Sequence, residues 1–97
     1  MEETIYYTNL YDLYGELLTE KQRNYFEDYY FNNLTLSEIS ENYEISRNAI
    51  HKQIKETCEK LNYYESILKL KKKKEKLERL SVQIIDEKLK EEIRDII

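Results

Sequence analysis

An all-α domain built around a helix-turn-helix is the fold class that three observations predict. The 97-residue chain has a single glycine, Gly15, and no proline, which disfavours β-hairpins and Gly-rich loops. Charged residues make up 37% of it and fall at helical spacing. Residues 34–55, LTLSEISENYEISRNAIHKQIK, spell out two helix starts separated by a short turn. The length suits one domain with a modest core. The motif occupies about residues 35–60 within a body of residues 1–62, and residues 63–97 form a C-terminal extension.

The first helix is expected from about Thr4 to Leu18, with Leu10, Leu13, Tyr14 and Leu17 as its apolar stripe. Thr19 and Gln22 have the spacing of a capping box and open a second helix reaching about Phe31. Tyr25, Phe26, Tyr29 and Tyr30 give that helix an aromatic face, and Asn32 and Asn33 end it. Thr35 and Glu38 repeat the capping box, with Leu34 and Ile39 as a hydrophobic staple. Ser46 caps the next helix, stapled by Ile45 and Ile50, so that Tyr43 to Ile45 form the turn. Ile39, Ile45, Ile50 and Ile54 are the seam expected to hold the helix pair at a fixed angle. The helix from Ser46 should run past Lys60, bend near Asn62 and continue to about Leu80. A last segment after Ser81 carries Val82, Ile85, Leu89, Ile93 and Ile96 in a stripe.

Charge is divided unevenly along the chain. The formal net charge is −4, but residues 1–45 carry −8, residues 46–80 carry +6 and residues 81–97 carry −2. A basic segment of that kind is the electrostatic footprint of a polyanion binder. The helix from Ser46 offers Arg47, Asn48, His51, Lys52 and Lys55 on its outer side, donors suited to phosphates or base edges. Lys60 is a further candidate. Glu16, Glu20 and Glu27 on the acidic front are candidate contacts for a basic protein partner. The run Lys71 to Lys74 suits either a phosphate grip or, more commonly, a solvated helix face.

The ten tyrosines suit either stacking on bases or helix interfaces with the hydroxyl at a wet edge. The second use is favoured, because Tyr6, Tyr7 and Tyr11 lie on the acidic half. Tyr63, Leu70, Leu77 and Ile84 recur every seven residues, with Ile67 in support. That spacing allows a homodimer through residues 63–97 or a helix folding back on the core. No catalytic residue, metal ligand set or cofactor loop is legible. His51 and Cys58 are the sole histidine and cysteine, too few for a structural zinc site. A lone cysteine fits a reducing compartment, and no secretory leader or ~18-residue apolar run is read, so the cytoplasm is expected.

Residues 10–55, with LLTEKQRNYFEDYY and SRNAIHKQIK as the specific parts, closely resemble the YlxM family of small helix-turn-helix proteins. The resemblance covers about residues 7–70. It implies a fold similar to region 4 of bacterial sigma factors. It also implies a non-catalytic role as an accessory of the signal recognition particle pathway, since family members are encoded beside Ffh. On that footing the partners are particle RNA or DNA and the protein Ffh. The alternative is a dimeric, sequence-specific DNA-binding transcription regulator. Two positions depart from the pattern. Glu44 stands where glycine or asparagine is favoured, at a cost of about 1 kcal/mol if φ is positive. Ser40 replaces alanine at the helix crossing, and its hydroxyl is expected on the Leu36 carbonyl.

Overall fold

The computed structural model describes residues 2–83 and 93–94, and the described main elements are all helical. Helix α1 spans Glu2–Tyr14 and passes into a 3-10 turn, Gly15–Leu17. Helices α2 (Glu20–Tyr30), α3 (Leu36–Tyr43), α4 (Arg47–Leu68) and α5 (Leu70–Gln83) follow. The stripe expected after Ser81 lies outside the described residues, apart from Val82 at the end of α5 and Ile93. The central element is α4, which packs against α1, α2 and α3.

Local chemistry sets three of the five helix starts, those of α2, α3 and α4, as expected. Thr19 and Thr35 each accept from the N–H three residues on, at 3.2 and 3.1 Å, and Gln22 and Glu38 reciprocate. The Ser46 hydroxyl accepts from the Ala49 N–H at 3.1 Å. Accepting the Thr35 backbone N–H and the hydrogen bond of its side chain holds Glu38 below its ordinary carboxylate range.

The turn between α3 and α4 is a Schellman motif. Ile45 N–H donates to the Ser40 carbonyl at 3.1 Å and Glu44 N–H to Glu41 at 3.4 Å, with Glu44 left-handed at φ 55°. The turn therefore demands at Glu44 the backbone state that glycine adopts without strain. Replacing Glu44 by glycine is expected to raise stability by about 0.5–1 kcal/mol, read as a higher thermal midpoint. A lower midpoint would show that the loss of unfolded-chain rigidity outweighs the relieved strain. Ser40 bonds to the Ser37 carbonyl at 2.7 Å rather than to Leu36. Ile45 is 37% exposed and so serves the turn more than the seam, while Ile39, Ile50 and Ile54 are buried.

The core joins Leu10, Tyr14 and Leu18 to Tyr25, Phe26, Ile39, Ile50, Ile54 and Leu61. The 3-10 turn corrects the expected stripe of α1. It rotates Leu17 out to 52% exposure and brings Leu18 in at 5%. Gly15 permits this because a Cβ there would meet the Tyr11 ring at 3.2 Å. That ring in turn stacks on Phe26, 4.6 Å away and only 8° from parallel.

Tyrosine hydroxyls reach the edges of this core, as the interface reading expects. Tyr11 donates to Glu27 at 2.8 Å, Tyr43 to Asp28 at 3.2 Å and Tyr6 to Asn62 at 2.9 Å. Burial, then the Glu27 carboxylate, pushes the Tyr11 phenol from 10.0 up to about 12. Its proton is held more tightly in the folded chain. The associated stability is therefore full below about pH 10 and lost as pH rises from 10 to about 12. An alkaline series of thermal melts should fall through that window. In a Tyr11→Phe variant the fall should be shallower, and an identical profile would remove Tyr11 from the alkaline transition.

Helix α4 runs unbroken through Asn62. The Asn62 amide donates to the Tyr7 hydroxyl at 3.1 Å while its carbonyl oxygen accepts from Tyr6, so α1 is pinned to α4 there. The chain breaks at Lys69, left-handed at φ 54°. The heptad from Tyr63 to Leu77 is thus split between two helices, so no continuous coiled-coil seam runs through it.

Helix α5 has no Ser, Thr, Asp or Asn at its start. Its first amides are satisfied from elsewhere in the fold. Leu70 N–H donates to the Tyr14 hydroxyl at 3.1 Å, and Lys71 and Lys72 N–H donate to the Glu65 carboxylate at 3.1 and 3.3 Å. Tyr14 closes the loop by donating to Glu65 at 2.6 Å. Further along α5, Ser81 opens no new helix; it lies within α5 and donates to the Glu78 carbonyl at 2.8 Å.

Candidate nucleic-acid interface

Helix α4 has two chemically opposite sides. Ile50, Ile54, Thr57, Cys58 and Leu61 are buried against the other helices. Arg47, Asn48, His51, Lys52 and Lys55, at spacings of one, three, one and three, form one exposed stripe. All five expected site residues therefore share a face. Ser46 leaves the first turn of α4 free of acidic side chains, so its partial positive charge adds to that of Arg47.

The stripe has a defined end. Lys52 approaches Glu56 at 4.0 Å, with both side chains well exposed, a contact of little energetic weight. Lys60, five residues past Lys55, faces a different side of α4, where its ammonium donates to the Gln22 side chain at 3.4 Å and braces the start of α2. The lysine run is also divided. Lys71 pairs with Glu75 at 3.0 Å and lies 5.6 Å from the Tyr6 ring centre, while Lys72, Lys73 and Lys74 are solvated.

The acidic candidates lie elsewhere on the surface. Glu16 sits on the 3-10 turn, and Glu20 and Glu27 lie seven residues apart on the outer face of α2. All three are exposed, and Glu27 also holds the Tyr11 hydroxyl.

Beside the basic stripe lies an open groove of about 380 Å³. His51 and Lys55 line it from α4, Tyr29 and Tyr30 from α2, and Glu3 and Tyr7 from α1. Cys58 is part of its lining, 3.5 Å from the Tyr30 hydroxyl. Burial pushes the Cys58 thiol up, against a smaller lowering by Tyr30, so it is protonated at neutral pH. Sequence reasoning placed Tyr29 and Tyr30 on an aromatic face but did not bring them to His51 and Lys55. That meeting depends on how α1 and α2 cross α4, for which no spacing in the chain is a signal.

Among the described residues there is no cluster of three or more potential metal ligands and no helix long and apolar enough to cross a membrane.

A family model described as "Putative helix-turn-helix protein, YlxM / p13 like" (UPF0122) matches residues 1–96. A UPF0122 protein of Oceanobacillus iheyensis is 40% identical over 100 residues, covering 99% of this chain and 95% of that protein. Its counterpart in Fusobacterium nucleatum is 37% identical over the whole chain and 94% of its own length. In Caldanaerobacter subterraneus the relative is 43% identical over 78% of this chain, which spans 65% of that protein. With its helix-turn-helix geometry and these matches, the chain belongs to the UPF0122 family of YlxM/p13-like proteins.

Proposed function

We propose that this protein is a non-catalytic, cytoplasmic nucleic-acid-binding accessory of the signal recognition particle pathway. The observation that carries the binding is the stripe of Arg47, Asn48, His51, Lys52 and Lys55, exposed along one face of α4. Arg47 and Asn48, at the start of the helix, approach base edges or backbone, and the other three contact phosphates. The kinship with YlxM proteins, encoded beside Ffh, supports particle RNA as the ligand. The acidic surface at Glu16, Glu20 and Glu27 then faces the basic surface of Ffh. On this reading residues 1–62 are the binding body, and residues 63–97 an extension that packs on it or mediates association.

Fluorescence anisotropy tests this with particle RNA and a duplex DNA of similar length, each with and without Ffh. The double variant Arg47→Ala/Lys52→Ala should weaken binding at least about tenfold. It should also flatten the salt dependence by about 0.7–0.9 per lost phosphate contact in the log–log slope. Unchanged binding by the double variant would overturn the mapping. Loss of Glu16, Glu20 and Glu27 charge should slow association with Ffh more than it changes dissociation.

A dimeric transcription regulator is the second reading. It is favoured by Tyr63 and Ile67, 62% and 63% exposed near the end of α4. Preference for duplex DNA, together with a dimer in sedimentation at micromolar concentration, would select it.

A further inference from the structure

The groove beside the basic stripe has the chemistry of a base-binding pocket. We propose that it takes one unpaired nucleobase of the bound nucleic acid, stacked against Tyr29, with the adjoining phosphate on Lys55 and His51. This inference rests on the nucleic-acid reading and deepens it.

Three observations support this occupant. The first is aromatic surface in the right place. Tyr29 is 37% exposed, and its ring stands edge-on to Tyr30 at 5.0 Å and 89°. Tyr30 braces it from beneath, since that ring also contacts Phe26 at 4.5 Å and Tyr7 at 6.2 Å. A platform held from behind with one side open suits a stacked base, which every base can supply because each has a π-face.

The second is charge. Lys55 and His51 belong both to this groove and to the exposed stripe, so the groove opens directly beside the path proposed for the phosphates. A nucleotide leaving a stack swings its base out about its backbone, and its phosphate can stay on the cationic face. The third is size: about 380 Å³ falls at the small end of ligand clefts, suited to a single ring system rather than a helix.

The acids of the groove refine the choice of base. Glu3 and Glu59 are acceptors only when ionised, so they favour an edge bearing an exocyclic amino group. Cytosine, adenine and guanine present one on their pairing edge, and uracil and thymine present none. The pocket should therefore rank an unpaired cytosine, adenine or guanine above uracil.

The test uses the full chain and an RNA hairpin carrying 2-aminopurine at one unpaired loop position, against a fully paired RNA of the same length. Binding should quench the 2-aminopurine. Tyr29→Ala should weaken binding to the looped RNA by about tenfold to a hundredfold, leave the paired RNA within twofold, and abolish the quenching. Tyr29→Phe should restore both. Because Tyr29 lies on the surface, circular dichroism should show the variant folded.

If the wild-type chain binds neither RNA, the reading as an RNA binder fails, and the pocket with it. If it binds both and Tyr29→Ala changes neither affinity nor quenching, the pocket is overturned while the stripe on α4 stands. Undiminished binding without quenching overturns it too, and leaves the groove to a side chain of a protein partner.

Discussion

Replacing Phe26 by alanine is expected to lower stability by about 3–5 kcal/mol. Phe26 is fully buried and stands at the meeting point of α1 and α2. Its ring stacks on Tyr11 at 4.6 Å and contacts Tyr30 at 4.5 Å and Phe31 at 6.0 Å. Truncation removes the transfer energy of the ring and leaves a void lined by other rings, which cannot collapse without leaving their own partners. Each kcal/mol moves the thermal midpoint of a domain this size by about 4–8 °C. The midpoint should therefore fall by more than about 12 °C, followed by far-ultraviolet circular dichroism. A fall of less than about 5 °C would show that the aromatic cluster repacks. Tyr11→Phe is the companion variant, since it keeps the stack and loses only the bond to Glu27.

Replacing Glu65 by alanine should release the start of α5. The carboxylate accepts from Tyr14, Lys71 N–H and Lys72 N–H, and each bond to an ionised acceptor is worth about 1.5–3 kcal/mol. Partial exposure of Glu65 and water reaching the freed amides reduce the sum, so a loss of about 2–4 kcal/mol is expected. The loss should be local. Hydrogen exchange at Leu70, Lys71 and Lys72 should accelerate strongly, while amides of α2 and α3 keep most of their protection. Uniform loss of protection along the chain would show that Glu65 supports the core instead. A cycle with Tyr14→Phe should give strong coupling, because Tyr14 donates to Glu65 and the two divide three successive amides between them, Tyr14 taking Leu70 and Glu65 taking Lys71 and Lys72.

The two variants mark where the chain's own grammar stops. At α2, α3 and α4 the start signals Thr19, Thr35 and Ser46 act within four residues, so their capping bonds follow from local spacing. The same holds for the left-handed turn at Glu44, forced by the shortness of the link between α3 and α4. The exposed stripe on α4 is equally local, since one helical period fixes which of its side chains share a face. Lys60 lies off that stripe for the same local reason, five residues and roughly 140° around the helix from Lys55, and there its ammonium meets Gln22, 38 residues away.

Asn62 and Lys69 show the opposite case. Asparagine in a charged stretch reads as a helix breaker, because its side chain competes for the backbone. Two tyrosines of α1 occupy that side chain instead, and the helix runs on. The break falls at Lys69, which carries no local signal, because Tyr14 and Glu65 supply the capping that α5 lacks in its own sequence. The groove at Tyr29, Tyr30, His51 and Lys55 arises in the same way, from the crossing of three helices distant in the chain. The sequence alone determined the helix-turn-helix, its caps and its basic face, because those depend on contacts within one or two turns. Only the tertiary structure decided where α4 ends, how α5 is held and which tyrosines meet the basic helix. Those outcomes depend on side chains tens of residues apart, whose pairing no local periodicity encodes.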